Sequence, residues 1–215
     1  MGSNDSCCVE NGNGGGMIML SQFWDVKAGD PGAWTIHGLW TDYCNGQFPQ
    51  FCDGSRAYSD ISDILQSHGE YGLLDEMNHV WPNSQGSVDT LWSHEWDKHG
   101  TCMSTFEPDC YGGDSYQGMI AFFKSAVALY KRYDIYNALQ NRGIVPGASY
   151  SADQFTTAIK TQLGFTPNLR CKGSGIHEMW IYFYVKGPVE ALDVTAAEPD
   201  SVSNCHENIY YPLKN

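Results

Sequence analysis

Basic residues are scarce in this chain. Its 215 residues carry 12 lysines and arginines against 25 aspartates and glutamates, a formal net charge of −13 at pH 7. The shortage excludes a protein that grips nucleic acid over a broad electrostatic surface, because polyphosphate binding is driven by Lys and Arg displacing counterions. It leaves room for a local cationic pocket, above all near pH ~4 to 5, where the seven histidines gain charge and carboxylates lose it. Long apolar runs are lacking as well: none approaches the roughly 18 residues of a membrane-spanning helix, so no membrane partner is expected. The eight cysteines include no CxxC pair and no Cys/His spacing suited to zinc. They read instead as a disulfide framework in an oxidising, secreted or vacuolar setting. There is no GxSxG elbow, and so no obvious home for a serine nucleophile. Repeats, low-complexity tracts and interdomain linkers are absent too, and the length suits one well-buried domain. Nothing in the pattern calls for an obligate oligomer, so a monomer is expected.

One stretch stands out by its density. Trp92 to Cys102, WSHEWDKHGTC, packs two histidines, a glutamate, a lysine, two tryptophans and a cysteine into eleven residues. On a helix over 92–99, the 100° step puts Glu95 and His99 on one face and His94 with Lys98 on the next stripe. The same step turns Trp92 and Trp96 toward the core, where they hold that face still. Gly100 is read as the helix stop, and Cys102 as a covalent tether for its exit. His94-Glu95 followed by His99 superficially matches the HExxH zinc helix. Zinc ligands there are four residues apart, whereas these histidines are five apart and roughly 140° around the helix, so neither metal nor cofactor is expected.

The rest of the chain frames that stretch. Met1-Gly2-Ser3 reads as an artificial expression start, and residues 1–6 as a tail that includes the glycosylation sequon Asn4-Asp5-Ser6. The glycine-rich arm that follows carries adjacent Cys7 and Cys8, which should tie two different places. Met17 to Trp24 predicts a buried strand. Trp34 to Trp40 alternates so that Thr35, His37 and Leu39 share a side, with Gly38 allowing close backbone approach. Residues 43–55, with Cys44 and Cys52, read as a loop at a strand end, where binding residues tend to lie. Short helices are expected over 59–66 and 72–80, then a turn at Trp81 to Gly86 that flanks the dense stretch. Residues 106–113, with Cys110, read as loop, and 116–142 as one long core helix stopped by Gly143. Ser151 to Gln154 fits a capping box for a helix to Leu163, with Gly164 just beyond it. Trp180 to Val185 is the best strand. His68, His79, His177 and His206 read as surface or capping groups.

Two histidines and a lysine suit a reaction that needs no nucleophile from the protein. RNA supplies its own in the 2′-hydroxyl. Cleavage then needs a base for that proton, an acid for the departing 5′-oxygen and a cation for the crowded phosphorane. His37, His99 and Lys98 meet those needs, and imidazoles titrating near 6.5 suit both protonation states.

These same residues carry a family resemblance. TIHGLW at Thr35 to Trp40 and WSHEWDKHGTC at Trp92 to Cys102 resemble the two active-site segments of the ribonuclease T2 family, the acid endoribonucleases of secretions and vacuoles. The likeness extends to Gln22-Phe23-Trp24, the cysteine placement and Tyr182-Phe183-Tyr184-Val185, and is nearest to fungal members. It implies an α+β fold, a central antiparallel sheet packed by several helices, in one disulfide-stabilised ribonuclease domain over 7–215. It also implies metal-independent cleavage of single-stranded RNA to 2′,3′-cyclic phosphates, then hydrolysis to 3′-phosphates, at acid pH. Carried over, His99 is the general base, His37 the general acid, Glu95 and Lys98 stabilise the pentacoordinate phosphate and His94 holds phosphate. Trp40, Asp42 and Phe48 would form the first base site and favour purines. Pro82, Asn83, Ser84, Gln85 and Leu91 would serve the second, and Gln22 is a further substrate-binding residue. Thr41 stands where the family usually has proline, Phe48 where fungal relatives have tyrosine, and Leu91 where some have an aromatic. The resemblance also implies disulfides Cys7–Cys110, Cys52–Cys102 and Cys171–Cys205. Fungal members usually have ten cysteines, which leaves Cys8 and Cys44 to pair with each other or stay free. The rival reading is a secreted binding or storage protein that kept the fold and lost catalysis, against which the intact His37, Glu95, Lys98 and His99 argue.

Overall fold

The structure is a computed structural model that describes residues 16–43 and 47–214. The tail 1–6, the Asn4 sequon, Cys7, Cys8 and Cys44 lie outside the described residues. The first apolar run forms β1 (Met17–Phe23), which pairs antiparallel with β2 (Thr35–Asp42). Helices α1 (Ile61–Ser67), α2 (Tyr71–Val80) and α3 (Val88–Lys98) follow, then α4 (Gln117–Arg132) and α5 (Ile135–Gln140). β3 (Ala148–Ser151) leads straight into α6 (Ala152–Leu163), and β4 (Asn168–Lys172), β5 (Gly175–Val185), β6 (Val194–Ala197) and β7 (Asn208–Tyr211) come last. The sheet runs β2-β1-β5-β7-β3, with β4 and β6 also paired to β5. Its pairs are antiparallel apart from one parallel bridge, Gly175 with Tyr210, between β5 and β7. This is the α+β architecture expected.

The register of β1 on β2 sets up the site. Ser21 pairs with Gly38 but Gln22 pairs with Ile36, so His37 is an extra residue bulged out of β2. One inserted residue reverses which face the next side chains take. Gly38, Trp40 and Asp42 therefore share a face with Met19, Ser21 and Phe23 of β1 and with Glu178, Trp180 and Tyr182 of β5. Strict alternation, which would set Leu39 beside His37, is overturned by the bulge. Leu39 pairs with Leu20 on the opposite face, where both are fully buried with Ile18, Ile36, Ile181 and Phe183 in one core that includes Phe122 and Phe123 of α4.

Several local expectations also change. The helix read over 116–142 is two helices: Tyr133 leaves helical geometry, and Asp134 caps α5 by accepting from the Asn137 N–H at 3.0 Å. An Asp N-cap inside a helical period is a restart signal that the apolar spacing masked. α3 begins a turn earlier than read, at Val88, where the Ser87 hydroxyl accepts from the Thr90 N–H. It ends at Lys98, leaving His99 as its C-cap. Gly100 opens a 3-10 turn to Cys102, and a Cβ there would lie 2.2 Å from the Trp96 ring, so glycine is needed for packing rather than for a left-handed stop. Residues 106–113, read as loop, carry the 3-10 turn Pro108–Tyr111. The capping box of Ser151 and Gln154 is present, and Gly164 takes the left-handed φ of 86°. Cys52–Cys102 and Cys171–Cys205 are bonded as the resemblance implied, and Cys110 is also disulfide-bonded.

Candidate active site

His37 is held from every side. Its Nδ1 lies 2.5 Å from Glu178 Oε1, and its ring stacks on Phe23 with centroids 4.0 Å apart. A carboxylate only accepts, so Nδ1 carries a proton and donates it. The His37 carbonyl accepts from Trp81 Nε1 at 2.8 Å, and the Trp81 carbonyl accepts from Trp92 Nε1 at 3.0 Å. Two indoles thus lock the bulged strand to α3, which gives the buried Trp92 its structural task.

Glu95 sits at the junction of strand and helix. It is fully buried, and its Oε2 accepts from Trp40 Nε1 at 2.7 Å while Oε1 lies 3.5 Å from His37 Nε2. A Cβ on residue 38 would fall 1.9 Å from Glu95 Oε2, so the approach depends on Gly38. Buried His99 lies under the Trp40 ring, 4.8 Å between centroids and nearly parallel, and the edge of Trp40 meets His37 at 4.9 Å. His94 is exposed one step along α3, and Lys98 is half-buried. Among the described residues, Glu95 Oε1 and His99 Nδ1 are buried without a hydrogen-bond partner, so the centre holds donor and acceptor capacity that its own fold does not use.

The surroundings drive the two imidazoles apart. Burial pulls His37 down, but the Glu178 bond and the charges of Glu95 and Glu178 outweigh it and Lys98, and its pKa is raised. Burial lowers His99 as well, and there Lys98, His37 and His94 add to it, down to about 2. Burial also raises the Glu95 carboxyl against the opposing pull of His37, the Trp40 bond and Lys98. One imidazole is thus biased toward the cation and the other toward the neutral base.

Cavities open on both sides of this trio. One of about 330 Å³ is lined by Trp40, Asp42, Phe48, Lys98 and His99 together with Arg170, Trp180, Tyr182 and Asp200. The other, about 380 Å³, is lined by His37 and His94 with Pro82, Asn83, Ser84, Gln85 and Leu91. A model of the ribonuclease T2 family matches residues 15–198, across both histidine segments. The chain belongs to the ribonuclease T2 family. It is 40% identical to Ribonuclease Trv of Hypocrea rufa over 98% of this chain and 91% of that protein. It is 41% identical to a Ribonuclease T2-like protein of Emericella nidulans over 97% of this chain and 51% of that one, so it spans about half of that relative. The crystal structure of Actibind, titled a T2 ribonuclease, superposes with a TM-score of 0.93 at 36% identity, covering 100% of this chain and 93% of that one.

In this T2 family member, two placements depart from the sequence reading. Gln22 is fully buried and donates through Nε2 to the Tyr133 carbonyl at 3.4 Å. Ser21 and Phe23 face His37, so Gln22 must point through the sheet to the helix side, away from both cavities. His177, read as a surface group, lies 5.3 Å from the Phe23 ring and lines the second cavity. Four residues that the motifs did not point to line the first cavity or hold His37: Arg170, Trp180, Asp200 and Glu178. Phe51 was missed as well. It is 58% exposed at a left-handed φ of 51°, its ring 6.2 Å from His94 and its N–H donating to the Lys98 carbonyl at 3.0 Å. A positive φ at a phenylalanine is costly, and no sequence pattern announces it.

Proposed function

We propose that this protein is a secreted, metal-independent endoribonuclease that cleaves single-stranded RNA by transphosphorylation to 2′,3′-cyclic phosphates and then hydrolyses these to 3′-phosphates at acid pH. The observation that carries the reading is that His37 and His99 both pack on Trp40 beside buried Glu95, in surroundings that bias their protonation in opposite directions. Two groups whose environments split their proton affinities are an acid and a base. Neutral His99 takes the 2′-hydroxyl proton as that oxygen attacks phosphorus, and cationic His37 gives its Nε2 proton to the departing 5′-oxygen. In hydrolysis the roles reverse, with His37 deprotonating water. The phosphate that enters beside His99 raises that imidazole's affinity for the proton it must accept. Lys98 and Glu95 stabilise the phosphorane, with burial biasing the Glu95 carboxyl toward its protonated form, and His94 steadies phosphate from the rim. The base 5′ to the cleaved bond would enter the cavity of Trp40, Asp42 and Phe48, and the base on its 3′ side that of Pro82 to Gln85 and Leu91, with purines favoured in the first.

The test is cleavage of the sixteen dinucleoside phosphates at pH 4.5 in a strong chelator, with products separated by chromatography. Cyclic 2′,3′-phosphates are the expected first products. His37→Ala and His99→Ala should each abolish cleavage while leaving the fold intact; a variant keeping a tenth of the wild-type rate would refute the role assigned. Folded wild-type protein that cleaves none of the sixteen would instead identify a binding or storage protein on this fold.

A further inference from the structure

The motif histidines, the lysine and the motif glutamate leave one buried carboxylate at the centre without a task. Glu178 comes from β5, two strands away from His37, and reaches it above Ser21 of the intervening β1. We propose that Glu178 is the positioning residue of the general acid, holding His37 by its Nδ1–H so that the Nε2–H points at the departing 5′-oxygen. This rests on the acid role given to His37 above.

The geometry leaves His37 little freedom. Its Nδ1 lies 2.5 Å from Glu178 Oε1, which selects the Nδ1–H tautomer whenever the ring is neutral, and the stack on Phe23 fixes the ring plane. The Ser21 hydroxyl donates to the same Glu178 oxygen and lies 3.4 Å from Nδ1, so the carboxylate is itself oriented. Ser21 pairs with Gly38 on one side and Trp180 on the other, and it is fully buried. A small side chain at that position lets groups from β2 and β5 meet across β1, with the Glu178 side chain largely buried and His37 open toward the second cavity. Glu178 faces His37 from β5, and Glu95, Lys98, His94 and His99 face it from α3. Burial alone would raise the Glu178 carboxyl, but its bond to His37, the His37 charge and Ser21 together hold it below the usual carboxylate range. Its balance is therefore tilted toward the anion. When the Nε2 proton passes to the 5′-oxygen, the ring becomes neutral, keeps its Nδ1–H on Glu178 and presents a lone pair on Nε2. That lone pair is what the hydrolytic step needs to take a proton from water.

The test compares wild type, Glu178→Gln and Ser21→Ala on a dinucleoside phosphate and on a nucleoside 3′-(4-nitrophenyl) phosphate, whose leaving group departs without a proton. Glu178→Gln should lose about a hundredfold on the dinucleotide, the low end of what a positioned general acid contributes, and far less on the activated ester. The alkaline limb of its kcat/KM profile should move toward acid, because the variant removes a charge that keeps His37 protonated. Ser21→Ala should fall between the two. Equal losses on both substrates, or an unmoved limb, would reduce Glu178 to a support of the fold. Should Glu178→Gln fail to fold, nitrogen NMR of wild-type His37 decides. Nδ1 protonated on both sides of the titration is the expected result, and Nδ1 losing its proton in the neutral ring overturns the assignment. Wild type that cleaves neither substrate would remove the acid–base reading and this proposal with it, whereas active wild type beside an unaffected Glu178→Gln removes only this one.

Discussion

Asp42 shows how a single side chain takes its chemistry from its surroundings. Its burial, then the charge of Asp200 and a hydrogen bond between the two carboxyls, push it up to about 7 against the opposing Tyr43 N–H. Below neutral pH its carboxyl is biased toward the protonated form, and that proton is shared with Asp200 at the wall of the first cavity. A carboxyl with a raised folded-state pKa lets the native state bind the extra proton between its unfolded value near 4 and about 7, so stability grows as pH falls through that window. Asp42→Asn should therefore be more favourable at pH 8 than at pH 4.5, by up to about 3 kcal/mol, as read from urea denaturation at the two pH values. The opposite order would mean that Asp42 is ionised in the native state at acid pH. Glu95→Gln keeps an oxygen for the Trp40 indole but loses the ionisable proton. A drop of about tenfold is expected, well short of the 10²–10⁴ contributed by a proton-transfer group, and wild-type rates would remove Glu95 from the chemistry.

At the scale of elements, the site depends on two strands and one helix meeting at a bulge and a glycine. The motif TIHGLW identified both His37 and Gly38, but not the reason they are adjacent. His37 is the extra residue that turns Trp40 and Asp42 onto its own face, and Gly38 is the opening through which Glu95 approaches. Gly38→Ala should cost about 1 to 3 kcal/mol by overpacking and depress turnover strongly, because Glu95 and the Trp40 indole cannot both stay in place. An alanine variant with unchanged melting temperature and rate would show that α3 yields more easily than this packing implies. The two-indole relay makes a second prediction. Trp92→Phe should lose about 1 kcal/mol, the ordinary value of one buried hydrogen bond, and its effect on the rate should exceed its effect on the fold, because the relay ends on the carbonyl of His37.

For the molecule as a whole, the loop that carries Phe48 and Phe51 is fastened to the exit of α3. Cys52 bonds Cys102, and buried Arg56 donates to the carbonyls of Thr101 and Phe106 at 2.9 and 3.0 Å. Replacing both cysteines by alanine should lower stability by about 4 kcal/mol, the chain-entropy value for a loop of 50 residues, and should loosen substrate binding at the first cavity before the protein unfolds. The net charge of −13 shapes RNA binding at this same scale. With Lys98 and Arg170 as the cations lining the first cavity, affinity for single-stranded RNA should fall with salt at a logarithmic slope of only about −0.7 to −1.4, as for one or two phosphates. A much steeper slope would point to a cationic track beyond the two cavities.

The sequence by itself determined the parts that are local. Helix periods, the Ser151 cap, the aromatic strand and the two histidine segments can be read because each depends on neighbours within a turn or a few residues. The residues it named for catalysis gather at one centre because α3 presents Glu95, Lys98 and His99 together, as its period requires. What only the tertiary structure decided is register and partnership. Gln22 points away from the site because strand parity counts from the bulge, and Glu178 meets His37, 141 residues away in the chain, because β5 pairs with β1. Short strands such as β4 and β6 carry too few residues for a period to show, and they exist because β5 offers them an edge. The protonation of the two imidazoles is tertiary for the same reason: identical rings in similar motifs diverge only when one is placed beside two carboxylates and the other is buried beside a lysine.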